Sequence, residues 1–223
     1  MRYRRPVAFR RRRRAVYRRR PVFKRLAFRR RKSQWRRTPS LYCKLTRTIQ
    51  YSHVSSATAI QSMQVRPNDF AEYQNQAANW ERVKIYRLRV RVFPQQNVAN
   101  NTTSRCPNYA FVPYHRPVDT LTATFPTCLS IDRAKVYRGT QFGQMNFVPL
   151  ARMGVQTAGT GAVVKLIHED WKPTLQIGTD ATDVNLYTGF IAYEGIDGLT
   201  GSTYYTVVQD LYVKFIQQRG FVQ

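Results

Sequence analysis

Not one aspartate or glutamate occurs in the first 68 residues of this 223-residue chain. Acids begin at Asp69 and total 12, against 37 Lys and Arg, for a net charge of +25. With so few acids the bases lack internal partners, so the expected partner is an anion. Cysteine is scarce too. Cys43, Cys106 and Cys128 form no CxxC pair and leave an odd count. They read as reduced, partly buried thiols, which argues against a disulfide framework or a metal site. No apolar run approaches the roughly 20 residues that span a bilayer, so membrane insertion is not expected. The N-terminus lacks the apolar core of a secretory signal, and it is more densely charged and poorer in Ser than a mitochondrial presequence.

Catalytic motifs are missing as well. Gly154 and Gly159 have the first spacing of a phosphate loop, but Thr160 stands where Lys is required. Gly159-Thr160-Gly161 lacks the third glycine of a dinucleotide fingerprint, and no Ser sits in a G-x-S-x-G elbow. His168-Glu169-Asp170 is the one tight cluster of titratable groups. It does not match HExxH, and only His53 and His115 remain to complete a metal set, so it reads as a solvated turn before Trp171. No catalytic residue, cofactor or metal is expected. An enzyme carrying a targeting tail is the weakest reading.

What is present in excess is arginine. Residues 1–37 hold 17 Arg and 2 Lys with no acid, which leaves 18 bases for the remaining 186 residues. The bases are Arg2, Arg4, Arg5, Arg10, Arg11, Arg12, Arg13, Arg14, Arg18, Arg19, Arg20, Lys24, Arg25, Arg29, Arg30, Arg31, Lys32, Arg36 and Arg37. So dense a block repels itself and has little apolar surface to offset chain entropy, so it is expected to be a disordered arm until an anion neutralises it. Arginine's planar fork matches phosphate and stacks on bases. Tyr3, Phe9, Tyr17, Phe23, Phe28 and Trp35 are interleaved with it, and base-on-aromatic stacking is a single-strand device. These 19 residues are therefore candidate nucleic-acid ligands. A nuclear import signal, a membrane-binding polybasic tail and a protamine-like segment are alternative readings of the same charge.

Residues 38–223 suffice for one domain. They are rich in Val, Thr, Tyr, Phe and Ile with frequent turn residues, a composition that favours strands. Leu41, Cys43, Leu45, Ile49 and Tyr51 alternate with polar residues, which predicts a half-buried strand whose apolar side Arg47 interrupts. Ala59–Val65 is a weaker strand. Pro67-Asn68-Asp69 then opens a short amphipathic helix over about 69–79, with Asp69 and Glu72 near its positive end. In the strand Val83–Phe93, Tyr86, Leu88, Val90 and Val92 are expected to face the core, and Arg87, Arg89 and Arg91 the other side. Pro94 ends that strand. Residues 95–108 form a long polar loop, expected on the surface or in a functional role, and Asn100 and Asn101 begin sequons read as unused. Further strands are expected at Tyr109–Tyr114, Leu129–Val136, Val163–Ile167, Leu175–Ile177, Leu186–Tyr193 and Tyr204–Phe215. In the last of these, Val207, Leu211, Val213 and Phe215 share a face. Long loops between many strands suit a Greek-key sandwich. Three like charges on one face need an offset. Arg87, Arg89 and Arg91 either form a solvated face whose stems cover apolar surface, or meet phosphate, or meet acids of a neighbouring subunit.

Particular residues carry a family resemblance. Leu45-Thr46-Arg47-Thr48-Ile49-Gln50-Tyr51 after the arm, Asn68-Asp69-Phe70 before a helical stretch, the basic run Val83–Phe93 ending at Pro94, and the closing Val207–Phe215 segment resemble circovirus capsid proteins. The short, Tyr-rich body leans toward the related cycloviruses. The resemblance implies an all-β fold, a single viral jelly roll of eight antiparallel strands in a sandwich. It implies a virion shell of sixty identical copies (T=1) around circular single-stranded DNA. It also implies an arm read by host nuclear import receptors, hence residence in the host nucleus, and outer loops that attach to a host cell-surface receptor or glycan. The competing reading is a cellular RNA-binding or ribosomal-type protein with a basic tail, which would not self-associate. On the capsid reading, residues 38–223, freed of the arm, bind single-stranded DNA far more weakly and lose nuclear accumulation. If all 19 arm bases met phosphate, log K against log salt would approach a slope of about −13, at roughly −0.7 per single-strand contact. Salt titrations of the two proteins should give a much shallower slope without the arm, and equal slopes would sink the idea.

Overall fold

A computed structural model describes residues 39–96, 105–118, 123–156, 164–178 and 184–219. The arm, the centre of the 95–108 loop with both sequons, and Gly159-Thr160-Gly161 lie outside the described residues. Twelve strands run in chain order as β1 (Ser40–Val54), β2 (Ala59–Ser62), β3 (Trp80–Pro94), β4 (Tyr109–Pro113), β5 (Lys135–Tyr137), β6 (Gly143–Phe147), β7 (Leu150–Gln156), β8 (Val164–Trp171), β9 (Thr174–Gln176), β10 (Leu186–Tyr187), β11 (Gly189–Tyr193) and β12 (Ser202–Gln218). Two short helices, α1 (Ala71–Ala77) and α2 (Phe125–Leu129), join them.

One sheet has the order β1-β12-β3-β6, with β9 also on β3, and the other is β2-β11-β4-β5. Chain neighbours β1 and β2, β3 and β4, β5 and β6, and β11 and β12 fall in opposite sheets. This is the eight-stranded jelly roll expected from the sequence, and the strand pairings within it are antiparallel. A third sheet, β10-β7-β8, is built from the stretch between β6 and β11.

The period-two residues of β1, β3 and β12 supply one wall of the core. Leu45, Val83, Ile85, Leu88, Val90, Val92, Val207, Leu211, Val213 and Phe215 pack toward Tyr109, Phe111, Ile191 and Tyr193 of the second sheet. Burying each large side chain contributes about 1.5–3 kcal/mol. The second sheet is covered on its far side too, where Ala110, Val112, Phe190 and Ala192 pack with Val118, Phe125 and Cys128. Continuous apolar runs in β4 and β11 suit strands buried on both faces. Among the described residues the β1-β12-β3 sheet has no such cover on its second face.

Several expectations need correction. Tyr86 does not face the core; Ile85 does, because the β3–β12 register shifts by one residue opposite Tyr212/Val213. The apolar positions 83, 85, 88, 90 and 92 are out of phase across residue 86, and a bulge there lets both halves reach the core. Arg47 does stand on the core side of β1, where it donates to Gln209 (2.7 Å), pairs with Asp69 (3.0 Å) and lies over the Phe70 ring. The helix start at 67–69 is a separate 3-10 turn, and α1 follows Phe70. Leu129–Val136 is not a strand. Pro126, with its pre-set φ, suits the first turn of α2, which ends at Leu129, and β5 begins at Lys135. Leu186–Tyr193 divides between two sheets at Thr188, whose buried hydroxyl donates to the Met63 carbonyl (2.6 Å). His168-Glu169-Asp170 lies on β8, not a turn, with Glu169 paired to Arg152.

Gly189 is closely packed against both its neighbouring strand β4 and Phe147 of the other sheet. A Cβ there would stand 2.3 Å from the Val112 carbonyl oxygen and 2.7 Å from the Phe147 ring. Gly189→Ala is expected to cost about 1–3 kcal/mol by overpacking, read from denaturant unfolding of the unassembled subunit. His53 gives a pH dependence. It is buried, its Nε2 lies 3.0 Å from the Glu194 carbonyl oxygen, and burial lowers its pKa. The unfolded chain then binds protons that the fold resists, so stability present above about pH 6.5 is lost on acidification below it. Substituting His53 with Gln should flatten that dependence in urea titrations across the range.

Candidate nucleic-acid interface

Antiparallel register turns the outward positions of β1, β12 and β3 into rows across the open face. Tyr42 stands opposite Lys214, which stands opposite Lys84; Lys44 opposite Tyr212, opposite Arg87; Thr46 opposite Asp210, opposite Arg89; Thr48 opposite Val208, opposite Arg91. Bases and tyrosines are thus interleaved in the first two rows, and the last two hold no tyrosine. The cause is visible in the chain once the pairing is known. Tyr42-Cys43-Lys44 and Tyr212-Val213-Lys214 are the same Tyr-x-Lys pattern running in opposite directions, so each tyrosine meets the other strand's lysine.

The cations rest on rings. Lys214 Nζ is 4.8 Å from the Tyr42 ring centre, Arg87 Cζ is 4.2 Å from that of Tyr212, and Lys84 Nζ is 5.9 Å from that of Tyr86. Such contacts contribute about 0.5–1 kcal/mol each at exposed sites. Tyr86, turned outward by the bulge, lies 6.1 Å from Tyr42 with the planes tilted 30°. Hydrogen bonding from Lys214 first, then Tyr86, lowers the Tyr42 pKa, because both favour the phenolate.

Two acids stand on these three strands, Glu81 at the start of β3 and Asp210 in the middle of β12. Asp210 is 1% exposed. It accepts from the Thr46 hydroxyl at 3.0 Å and pairs with Arg91 at 2.8 Å. Arg87, Arg89 and Arg91 do share the open face, as the spacing predicts, but they are not equivalent. Arg91 has a carboxylate of its own chain, an offset the sequence reading did not consider. Arg89 donates to the Gln144 side chain of β6, and Arg87 lies over Tyr212 and is exposed. The sequence reading missed Tyr42, Lys44, Lys84, Tyr212 and Lys214. The 19 arm bases, Arg2 to Arg37, lie outside the described residues.

A face on which cations rest against tyrosine rings, with its one central acid already paired, can hold phosphates by charge and unpaired bases by stacking. Among the described residues no cluster of His, Cys, Asp and Glu is arranged to hold a metal ion.

A solved 60-mer BFDV capsid protein superposes with a TM-score of 0.63 at 15% identity, over 83% of this chain and 98% of that one. A decameric form of the BFDV capsid protein gives 0.54 at 16% identity, over 79% and 99%. At those identities the likeness is one of fold. In sequence, the capsid protein of human associated cyclovirus 1, an isolate from Pakistan, is 40% identical over 185 residues, 82% of this chain and 84% of its own. Residues 2–219 match the circovirus capsid protein family, and on that match and that relative the chain belongs to it as a viral capsid protein, a component of the virion.

Proposed function

We propose that this protein forms a sixty-copy T=1 shell around circular single-stranded DNA, with the open face of β1-β12-β3 turned toward the genome. The observation that carries this reading is the sharing of charge between the arm and that face. The arm's 19 bases run directly into β1, an outer strand of the same sheet that presents Lys44, Lys84, Arg87 and Lys214. Cargo and arm must share a side of the shell, because the arm's counterion is the nucleic acid. Arg87 and Arg89 extend the arm's phosphate contacts as ordered residues, whereas Arg91 chiefly holds Asp210. The role is structural rather than catalytic. The same arm, with its dense Arg clusters, addresses the protein to the host nucleus through import receptors, and loops on the opposite side of the shell attach to a host cell-surface receptor or glycan.

Sixty arms supply on the order of 1,100 positive charges, so packaged phosphate should be comparable or modestly higher. Nucleic acid extracted from particles grown in infected cells should be single-stranded and about one to two thousand nucleotides long, whereas a duplex or a several-fold longer cargo contradicts the reading.

The arginines are tested separately, because Arg91→Gln strands a buried carboxylate. That change is expected to cost about 1–3 kcal/mol in denaturant unfolding, while Arg87→Gln stays within about 0.5 kcal/mol. The double variant Arg87→Gln/Arg89→Gln should still form shells, hold less DNA and show a shallower salt dependence. Parental packaging and slope in that variant would refute the role of this face in genome contact. Failed assembly of a folded subunit would instead indicate a subunit contact.

A further inference from the structure

The rows of the open face leave a recess of about 400 Å³, lined by Tyr42, Tyr86 and Tyr212 with Lys44 and Arg87 among them. Its size falls within the roughly 300–1,000 Å³ typical of small-ligand sites. We infer that this recess is a stacking slot for one unpaired nucleotide in each subunit, with the base laid on the Tyr42–Tyr86 pair and its flanking phosphates on Lys44 and Arg87. The inference rests on the reading that the open face meets nucleic acid, and adds to it a discrete, base-contacting site selective for single strands.

Three observations select this occupant. First, Tyr42 is 66% exposed although its ring is large and apolar, and Lys214 covers it from only one direction at 4.8 Å, so it can serve as a stacking platform. Tyr86 stands beside it only because of the bulge, at 6.1 Å and a 30° tilt. Second, no acid lines the recess, while Lys44 and Arg87 do, and Lys84 and Lys214 rest on two of its tyrosines. That charge repels the chain's own arm, with its 19 bases, and an apolar peptide leaves it uncompensated; an anion with a flat apolar body satisfies both rim and walls. Third, a base in a duplex already has both faces stacked and cannot enter, whereas any base of a single strand can, since stacking on tyrosine does not depend on base identity.

The test uses the full-length chain. A single-stranded oligothymidylate with scattered 5-iodouracil is bound and irradiated, and the cross-linked peptides are identified by mass spectrometry. The expected body cross-links fall on Tyr42, Tyr86 or Tyr212. In Tyr42→Leu/Tyr86→Leu they disappear. At salt high enough to suppress the arm's ionic contacts, that variant should bind the single strand roughly 5- to 100-fold more weakly. Its binding to a duplex of the same length and its salt slope should be unchanged, because lost stacking releases no counterions. Tyr42→Phe/Tyr86→Phe, which keeps the rings, should restore both affinity and cross-linking and so excludes a folding defect as the cause. Body cross-links that map elsewhere on the open face, with parental affinity in the Leu variant, overturn the slot and leave the phosphate-contact reading standing. Cross-links confined to the arm, together with an unchanged salt slope in Arg87→Gln/Arg89→Gln, overturn both.

Discussion

Repulsion between like charges is the constraint on which the rest of this protein turns. The body alone carries 18 bases against 12 acids, and a sheet face that gathers Lys44, Lys84, Arg87, Arg89, Arg91 and Lys214 concentrates the excess. The fold relieves part of it by two devices. Asp210, almost fully buried, holds Arg91 and Thr46 at the middle of the face. Tyr42, Tyr86 and Tyr212 each support a cation on their rings. Neither device removes the net charge. An outside anion bound at this face would relieve the repulsion that remains within the sheet.

An open face exists because the two sheets are covered unequally. β4 and β11 are apolar on both sides and lie between the shared core and α2, so their sheet offers little strand surface to a partner. β1, β3 and β12 are apolar on one side only, and nothing among the described residues packs across the other. The bulge at Tyr86 links this packing to the site. The core demands Val83 and Ile85 together with Leu88, Val90 and Val92, and a strict two-residue period cannot deliver all five. The extra residue is turned outward, where its ring joins Tyr42. A requirement of the core thus places a second tyrosine on the proposed binding surface.

Arg47 shows the same economy on the inner side. A guanidinium among apolar residues of β1 would be costly if unpaired. Gln209 reaches it from β12 and Asp69 from the turn before α1, and the Phe70 ring lies beneath it. This ties the first helix to the first strand, and Glu72 of α1 strengthens the tie by accepting the Thr46 amide at 2.7 Å. Asp69 and Glu72, read from the chain as helix-start residues, thus also bind α1 and its leading turn to the edge strand.

How much was legible in the sequence follows the range of each interaction. The all-β class, the three long strands β1, β3 and β12 and the shared face of Arg87, Arg89 and Arg91 were readable, because side-chain alternation is a local property with a period of two. The excess of arginine over acid in residues 1–37 was readable for the same reason, since composition needs no fold. The Tyr86 bulge, the division of Leu186–Tyr193 between two sheets, and the Asp210–Arg91 pair were not. Each depends on which residue of a distant strand stands opposite: the register of β12 between β1 and β3 sets the bulge and the ion pair, and the pairing of β10 with β7 and of β11 with β2 and β4 sets the division. The tyrosines and lysines of the recess come from residues 42–44, 84–87 and 212–214. Only the antiparallel pairing of β12 with both β1 and β3 brings them together, so a candidate site that is three scattered fragments in sequence becomes one surface in the folded protein.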